Sequence, residues 1–477
     1  MFQLLRSTVE SCFTLSGMVS QGMYFRWGLG LSVLKYAVEA AVIGRWTGRF
    51  YSPYDFLSPL LSHRASYLDG APTWMGMSLV LWTLPFMWIA VAMSIRRYRD
   101  AGYSPWFGLV MLIPTVNYLG MFALCLLPKM KATSAEEAER QRELLEVWQA
   151  PQVDSEPPLM VAESGVGVVA AMMGAAAGAM YAGVSTVLSV YVLGSYGAAL
   201  FFGTPLVAGA VSAFLFNRPD VRGVGATILH SLAMIVFSCC GLLMIGFEGL
   251  ICIVMALPIL IPIALMGALI GRSISIESNR PRRESQGMLW CLGGLPVVAA
   301  VESVLVLNPT LAVSTTVEIQ APPKVVWNQV IAFPEITDEP EWFFRAGIAA
   351  PIRAHIDGSG VGAIRYCQFT TGTFVEPITV WEPNRRLAFD VTEQPDPMFE
   401  LTPYQHIHPP HLDGSFRSTR GEFQLEHLPN GGTRLTGTTW YLLDMHPQSY
   451  WTLWSDELVH RIHLRVLQHI RDVAERA

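Results

Sequence analysis

Charge is scarce in this sequence. Asp, Glu, Lys and Arg together make up 15% of its 477 residues, while 52% are hydrophobic, a balance that excludes an ordinary soluble enzyme over the whole length. Positive charge is scarcest at the C-terminal end. From residue 308 onwards, 13 Lys/Arg stand against 20 Asp/Glu. Such a surface lacks what nucleic-acid binding requires, so no nucleic-acid partner is expected. Cysteine is also sparse: the seven, at 12, 125, 239, 240, 252, 291 and 367, show no metal-ligand spacing. Only Cys367 follows residue 308, which excludes a disulfide within the last third of the chain. The opening "MFQLLRSTVESCF" has neither a long apolar core nor a small-residue cleavage site, so no cleavable signal peptide is expected.

What the chain has in quantity is apolar length. Up to residue 307 it keeps returning to uncharged runs long enough to cross a bilayer, near 27–46, 73–95, 106–127, 163–190, 196–216, 224–246, 250–271 and 288–307. Lys35 and Glu39 interrupt the first run four residues apart, where they can pair on one helical face; an interfacial helix is the competing reading of that run. "GAAAG" (Gly174, Gly178) and "GALIG" (Gly267, Gly271) are small-residue patterns that permit close helix packing. His230 and Glu248 are too few ionisable groups for a proton pathway.

The basic loops around "RRYR" (96–99), "KMK" (129–131), "NRPDVR" (217–222) and 272–283 should share the cytoplasmic side. Both of the first two can do so if 106–127, with Pro114 and Asn117 at its middle, is a kinked hairpin returning to the side it left. The C-terminal region then lies outside the cytoplasm; with 106–127 as a simple span it lies in the cytoplasm instead, and the later basic loops are left outside. The expected organisation is a membrane domain over 1–131, a charged cytoplasmic linker over 132–162, a second transmembrane region over 163–307 and a separate domain over 308–477.

The stretch "RRYRDAGYSPWFGLVMLIP" resembles the signature of a bacterial inner-membrane family, domain of unknown function 805. That pattern is Arg-Leu-His-Asp-x-Gly-x-Ser-Gly-Trp followed by Leu-Ile-Pro. Arg97, Asp100, Gly102, Ser104, Trp106 and Leu112-Ile113-Pro114 match it, whereas Tyr98, Arg99 and Pro105 depart. Where the family opens with Gly-Arg-x-x-Arg, "GMVSQ" (17–21) has neither arginine. The resemblance implies a multi-pass protein of the bacterial plasma membrane and carries no activity with it.

After residue 308 the pattern changes to alternation. "AVSTTVEIQ" reads as a strand, "APPKVVWNQVIAF" as a helix opened by Pro322 and Pro323, and "EPEWFFRAG" as a second short helix. Six extended runs follow, separated by turns such as "DGSG" and "PNGG". A long helix closes the chain, with an apolar stripe from Trp451 to Val473. This order resembles the START-like (SRPBCC) superfamily, which includes polyketide cyclase/dehydrase and lipid-transport proteins. The resemblance implies an α+β helix-grip fold, an antiparallel sheet wrapped on the long C-terminal helix with an apolar cavity between them.

From that arrangement the expected ligand-binding residues are Tyr366, Phe389 and Trp440 on the strands and Trp451, Trp454 and Leu458 on the helix. A register slip of one residue turns each strand choice to the other face, and plain core packing is the alternative for each. Catalysis is the lesser expectation. Its candidates are Glu376 and Asp390, either of which, facing inward, gains a raised pKa suited to acid or base work. No metal or cofactor is expected, the weak candidates being His406, His408 and His411 in "HIHPPH". The set Glu457, His460 and His463 reads more simply as a solvated helix face. The function expected is membrane-anchored binding or transfer of a lipid or other hydrophobic small molecule. A cyclase- or hydrolase-like enzyme, and a sensor or scaffold without ligand, are the alternatives; no protein partner can be named.

Overall fold

The computed structural model of the protein describes residues 13–57, 67–68, 71–112, 116–129, 164–276, 281–305, 309–404 and 407–477. The linker 132–162, Pro114 and His406 lie outside the described residues. Two compact units account for the contacts. One comprises Met1–Gly178, Leu206–Met234 and Ala264–Leu295, and the other Ala179–Pro205, Ile235–Ile263 and Pro296–Ala477.

The N-terminal part is helical: α1 (Gln21–Thr47), α2 (Thr73–Asp100), α3 (Val116–Leu126), α4 (Ser164–Thr186), α5 (Thr204–Asn217), α6 (Val224–Met244), α7 (Leu250–Ile276) and α8 (Pro281–Leu305). Among the described residues, six helical stretches are long and apolar enough to cross a membrane, those built on α1, α2 and α4 to α7. The chain is thus a multi-pass membrane protein. Lys35 and Glu39 of α1 do form an ion pair, both side chains largely buried.

Residues 106–127 do not form one continuous helix. A 3-10 helix over Pro105–Leu112 is followed by the separate, short α3. The Arg97 side chain explains its path. It is fully buried, pairs with Asp100, and donates from Nε to the Leu124 carbonyl (3.1 Å) and from Nη2 to that of Leu127. The C-terminal end of α3, at Leu124 and Leu127, is thereby held at the last turn of α2. Trp106, with no exposure, packs edge-on against Phe214, and a methyl group at Gly108 would overlap Ile95, so the 3-10 helix lies tight on α2.

Glycine also sets the spacing between α5 and α7. A Cβ at Gly267 would overlap the Leu206 carbonyl oxygen, and one at Gly271 that of Ala210. With no hydrophobic drive between helices in lipid, close backbone approach of this kind is what holds them.

The remainder folds as β1 (Leu311–Ile319), α9 (Pro323–Ile331), α10 (Trp342–Arg345), β2 (Pro351–Asp357), β3 (Ile364–Phe369), β4 (Gly372–Glu382), β5 (Arg386–Asp390), β6 (Phe416–His427), β7 (Thr433–Leu443) and α11 (Gln448–Ala474). This is the element order read from the sequence. The strands form one antiparallel sheet in the order β1-β7-β6-β5-β4-β3-β2. Register shifts at 351/353, 378/380 and 418/420 place bulges that bend the strands, so the sheet curls. Its concave face grips α11, whose Val466, Leu467 and Ile470 are buried with Val326, Trp327 and Val330 of α9.

Replacing Gly271 by Ala should destabilise the helical unit by about 1–3 kcal/mol, the usual cost of overpacking. Thermal unfolding of the full chain in detergent micelles reads this out. An unchanged melting temperature would show that α5 and α7 do not depend on this contact.

Candidate functional site

Between the concave sheet and α11 lies a cavity of about 120 Å³. Alternation along each strand decides what reaches it. On β3, Arg365, Cys367 and Phe369 point inward; on β4, Phe374 and Glu376; on β5 and just after it, Phe389 and Val391. The helix contributes Val459, Ile462, His463, Val466 and Leu467, the i, i+3, i+4, i+7, i+8 positions of one helical face. Most of the lining is apolar, as the sheet's core face must be.

The polar lining residues include a buried ion pair, a thiol and an imidazole. Arg365, 2% exposed, is ion-paired with the equally buried Glu376. Its guanidinium lies over the rings of Phe333, Phe389 and Phe423, 5.4–5.8 Å from their centroids, a cation–π cage. Burial pushes the Glu376 carboxyl above the usual carboxylate range, and the Arg365 guanidinium pulls it back. Burial also pushes the Cys367 thiol up to about 12, which leaves almost no thiolate at neutral pH and so no nucleophile there.

His463 stands between two hydroxyls, Nδ1 3.2 Å from Thr315 Oγ1 and Nε2 2.8 Å from Thr439 Oγ1. Burial, with His460 alongside, pushes its pKa down to about 4, so the cavity meets a neutral imidazole at physiological pH.

Of the expected ligand-facing residues, Phe389 lines the cavity. Tyr366 does not: it points to the opposite face of β3 and stacks on His355 at 5.0 Å. Trp440 is likewise on the outer face of β7, beneath the Arg420 guanidinium at 4.8 Å. In both strands the register is one residue away from the expected one, and Arg365, Cys367 and Thr439 take the inward places. On α11, Trp451 packs against Phe201 at 4.9 Å and Leu458 joins a separate cluster around Phe344, Ile348 and Leu412. Trp454 is partly buried and does not line the cavity. The lining belongs to the next turns of the same helix.

Glu376 is a lining residue, whereas Asp390 is exposed on the outer face. The two described histidines of "HIHPPH" do not share a site. His408 lies between Asp396 (3.3 Å) and Asp413 (2.7 Å) at the surface, while His411 is buried against Glu248, Cys252 and Glu400. Glu457 pairs with Arg461 (2.7 Å), away from the two histidines that meet Thr315.

Residues 12–136 match the family described as "Protein of unknown function (DUF805)". The stretch that matches DUF805 holds Arg97 and the helix ends it joins and contributes no residue to the cavity. No curated protein matches the sequence. Solved structures similar to part of this chain include the Aha1 dimer from Colwellia psychrerythraea, at 15% identity and a TM-score of 0.21, covering 35% of this chain and 96% of that one. Another is the Zhui aromatase/cyclase from Streptomyces sp. R1128, at 16% identity and a TM-score of 0.22, covering 35% and 95%. A third is a Thalictrum norcoclaurine synthase point mutant, at 13% identity and a TM-score of 0.23, covering 35% and 96%.

Two outcomes follow from the buried polar groups. Arg365→Leu, which strands Glu376, should cost roughly 3–5 kcal/mol, and the double change with Glu376→Leu should restore much of it. Denaturant unfolding of the full chain, with a single-mutant cost under about 1 kcal/mol, would refute a tight pair. For His463 the unfolded side chain binds a proton below its ordinary 6.5 and the folded one only near 4. Stability therefore falls as pH drops through that window, by at most about 3 kcal/mol. His463→Gln should flatten the decline in melting temperature between pH 6.5 and 4.

Proposed function

We propose that this chain is a membrane-anchored binder of a hydrophobic small molecule, held at the cavity between the curled sheet and α11. The observation that carries this reading is a mostly apolar cavity on which the buried Arg365–Glu376 pair and the His463–Thr439 contact converge. Convergent polar groups in an apolar pocket are the usual signature of a small-molecule site. At about 120 Å³ the cavity is smaller than the ~300 Å³ at the lower end for drug-sized ligands. It fits a single ring or a short branched chain, or the end of a longer acyl chain whose remainder stays outside. Anchoring raises the effective concentration of any ligand that partitions into the bilayer.

We place the cavity domain outside the cytoplasm of a bacterial plasma membrane. The support for this is the contact of Arg97 with the Leu124 and Leu127 carbonyls, which brings the basic stretches on either side of 106–127 to one face, as the bias of Lys and Arg to cytoplasmic loops demands. The rival reading, an enzyme acting on such a ligand, rests on Glu376, a lining carboxyl with a raised pKa.

The test is native mass spectrometry of the full chain from detergent micelles, with organic extraction of whatever accompanies it. A stoichiometric apolar molecule is expected, and Ile462→Trp, which fills the cavity, should remove it. A chain that is empty and takes up no fluorescent fatty acid would leave a scaffold in its place. Loss of turnover with retained binding in Glu376→Gln would move the assignment to the enzyme.

A further inference from the structure

Outside the cavity, one cluster brings together four ligating side chains from three segments. Glu248 lies in the short loop before α7, Cys252 in the first turn of α7, and Glu400 and His411 in the long insertion between β5 and β6. All four belong to the second unit. His411 Nε2 is 3.0 Å from Cys252 Sγ and 3.4 Å from Glu400 Oε1, and its Nδ1 is 3.2 Å from Glu248 Oε2. Ligating atoms of Glu248, Cys252 and His411 lie within 4.8 Å of one another.

The environment is closed. Glu248 and His411 are 9% and 5% exposed, and the Glu400 side chain is fully buried. Half of each carboxylate is satisfied: Tyr196 donates to Glu248 Oε1 at 2.7 Å, and the Ile251 N–H to Glu400 Oε2 at 3.2 Å. The other halves are not. Glu248 Oε2, Glu400 Oε1 and His411 Nδ1 are buried atoms with no hydrogen-bond partner, although they face one another across the cluster. Among the described residues, no Lys or Arg pairs with either glutamate.

Two buried carboxylates with one imidazole, His411, to share between them are costly, and buried charges of this kind are paired or coordinate metal. A sulfur, an imidazole nitrogen and carboxylate oxygens are the donors that zinc and its first-row neighbours take, at bond lengths of roughly 2.0–2.3 Å. Ligands so bound stand some 3–4 Å apart, the spacing found here.

We propose that Glu248, Cys252 and His411 are ligands of a divalent transition-metal ion of the zinc class, with Glu400 the further carboxylate that fixes His411. Such an ion joins the start of α7 to the β5–β6 insertion, Cys252 and His411 being 159 residues apart in sequence, and so acts as a structural clip. Removing a carboxylate that orients a metal-bound histidine typically lowers affinity about 10- to 100-fold.

The test uses the full chain in detergent micelles, stripped with a chelator and reloaded with Zn²⁺ or Co²⁺ alone. Stoichiometric zinc should survive dialysis, and Co²⁺ should give the near-ultraviolet sulfur-to-metal charge-transfer band of a thiolate complex. Cys252→Ser should abolish that band, Glu248→Gln and His411→Asn should abolish stoichiometric zinc, and Glu400→Gln should weaken it by about 10- to 100-fold. Cys252→Asp keeps a ligand and should still hold zinc without the band, which separates lost ligation from lost folding. His408→Ala should change nothing. A wild-type chain that retains no zinc, or a charge-transfer band that persists in Cys252→Ser, would overturn the site.

Discussion

The ion pair between Arg365 and Glu376 constrains the cavity domain more than any other contact. A guanidinium cannot lose its proton inside a protein, so once β3 turns Arg365 inward the fold must supply an anion and a polarisable surround. Glu376, opposite it on β4, is the anion. Phe333, Phe389 and Phe423 are the surround. These bulky groups occupy space that a deeper cavity would need, so the pair fixes both the size of the cavity and where its polarity lies. Pro377 and Ile364 share the next rung of the same ladder, and a slip there would bring Tyr366 inward and leave Arg365 in solvent.

The same rule, that a buried polar group must find its partner, shapes the helical unit by a different means. Arg97 answers it with Asp100 and with the carbonyls of Leu124 and Leu127. Carbonyls at the C-terminal end of α3 have no partner within their own helix, and the arginine supplies one. That exchange ties the end of α3 to the last turn of α2. It also gives the sequence signature around Arg97, Asp100 and Trp106 a structural reason that requires no catalytic role.

Much of the fold was legible in the sequence, because alternation and helical periodicity report burial directly. The strand, two short helices, six strands and long helix follow the chain as read, and Gly267 and Gly271 pack as their spacing implies. Register was less legible. β3 reads "IRYCQF", in which the inward set Arg-Cys-Phe and the outward set Ile-Tyr-Gln each mix polar and apolar residues, so pattern alone favoured the tyrosine. A buried arginine defeats any reading that equates polarity with exposure. On α11 the apolar stripe is continuous from Trp451 to Val473, and only the tertiary structure shows that its first turns pack on Phe201, Phe344 and Leu412 and its middle turns face the cavity.

His411 illustrates the remaining limit. Read locally, it is the last of three histidines in a proline-rich loop, and its natural partners are His406 and His408. Prolines 409 and 410 stiffen the chain and open a short 3-10 turn, Pro410–Leu412, which directs His411 inward while His408 stays with Asp396 and Asp413. The groups it meets, Glu248 and Cys252, sit four residues apart, one in the loop before α7 and one in its first turn, where a glutamate beside an apolar helix looks like a mere boundary marker. Neither half of that pairing is informative alone. Glu-x-x-x-Cys at a helix start becomes a binding pattern only once a third donor is brought to it, and what brings it is the backbone of the insertion itself, anchored where the Leu250 N–H donates to the Leu401 carbonyl at 2.8 Å. The hydrogen bond that docks the insertion on α7 is thus also what sets the distance between the donors.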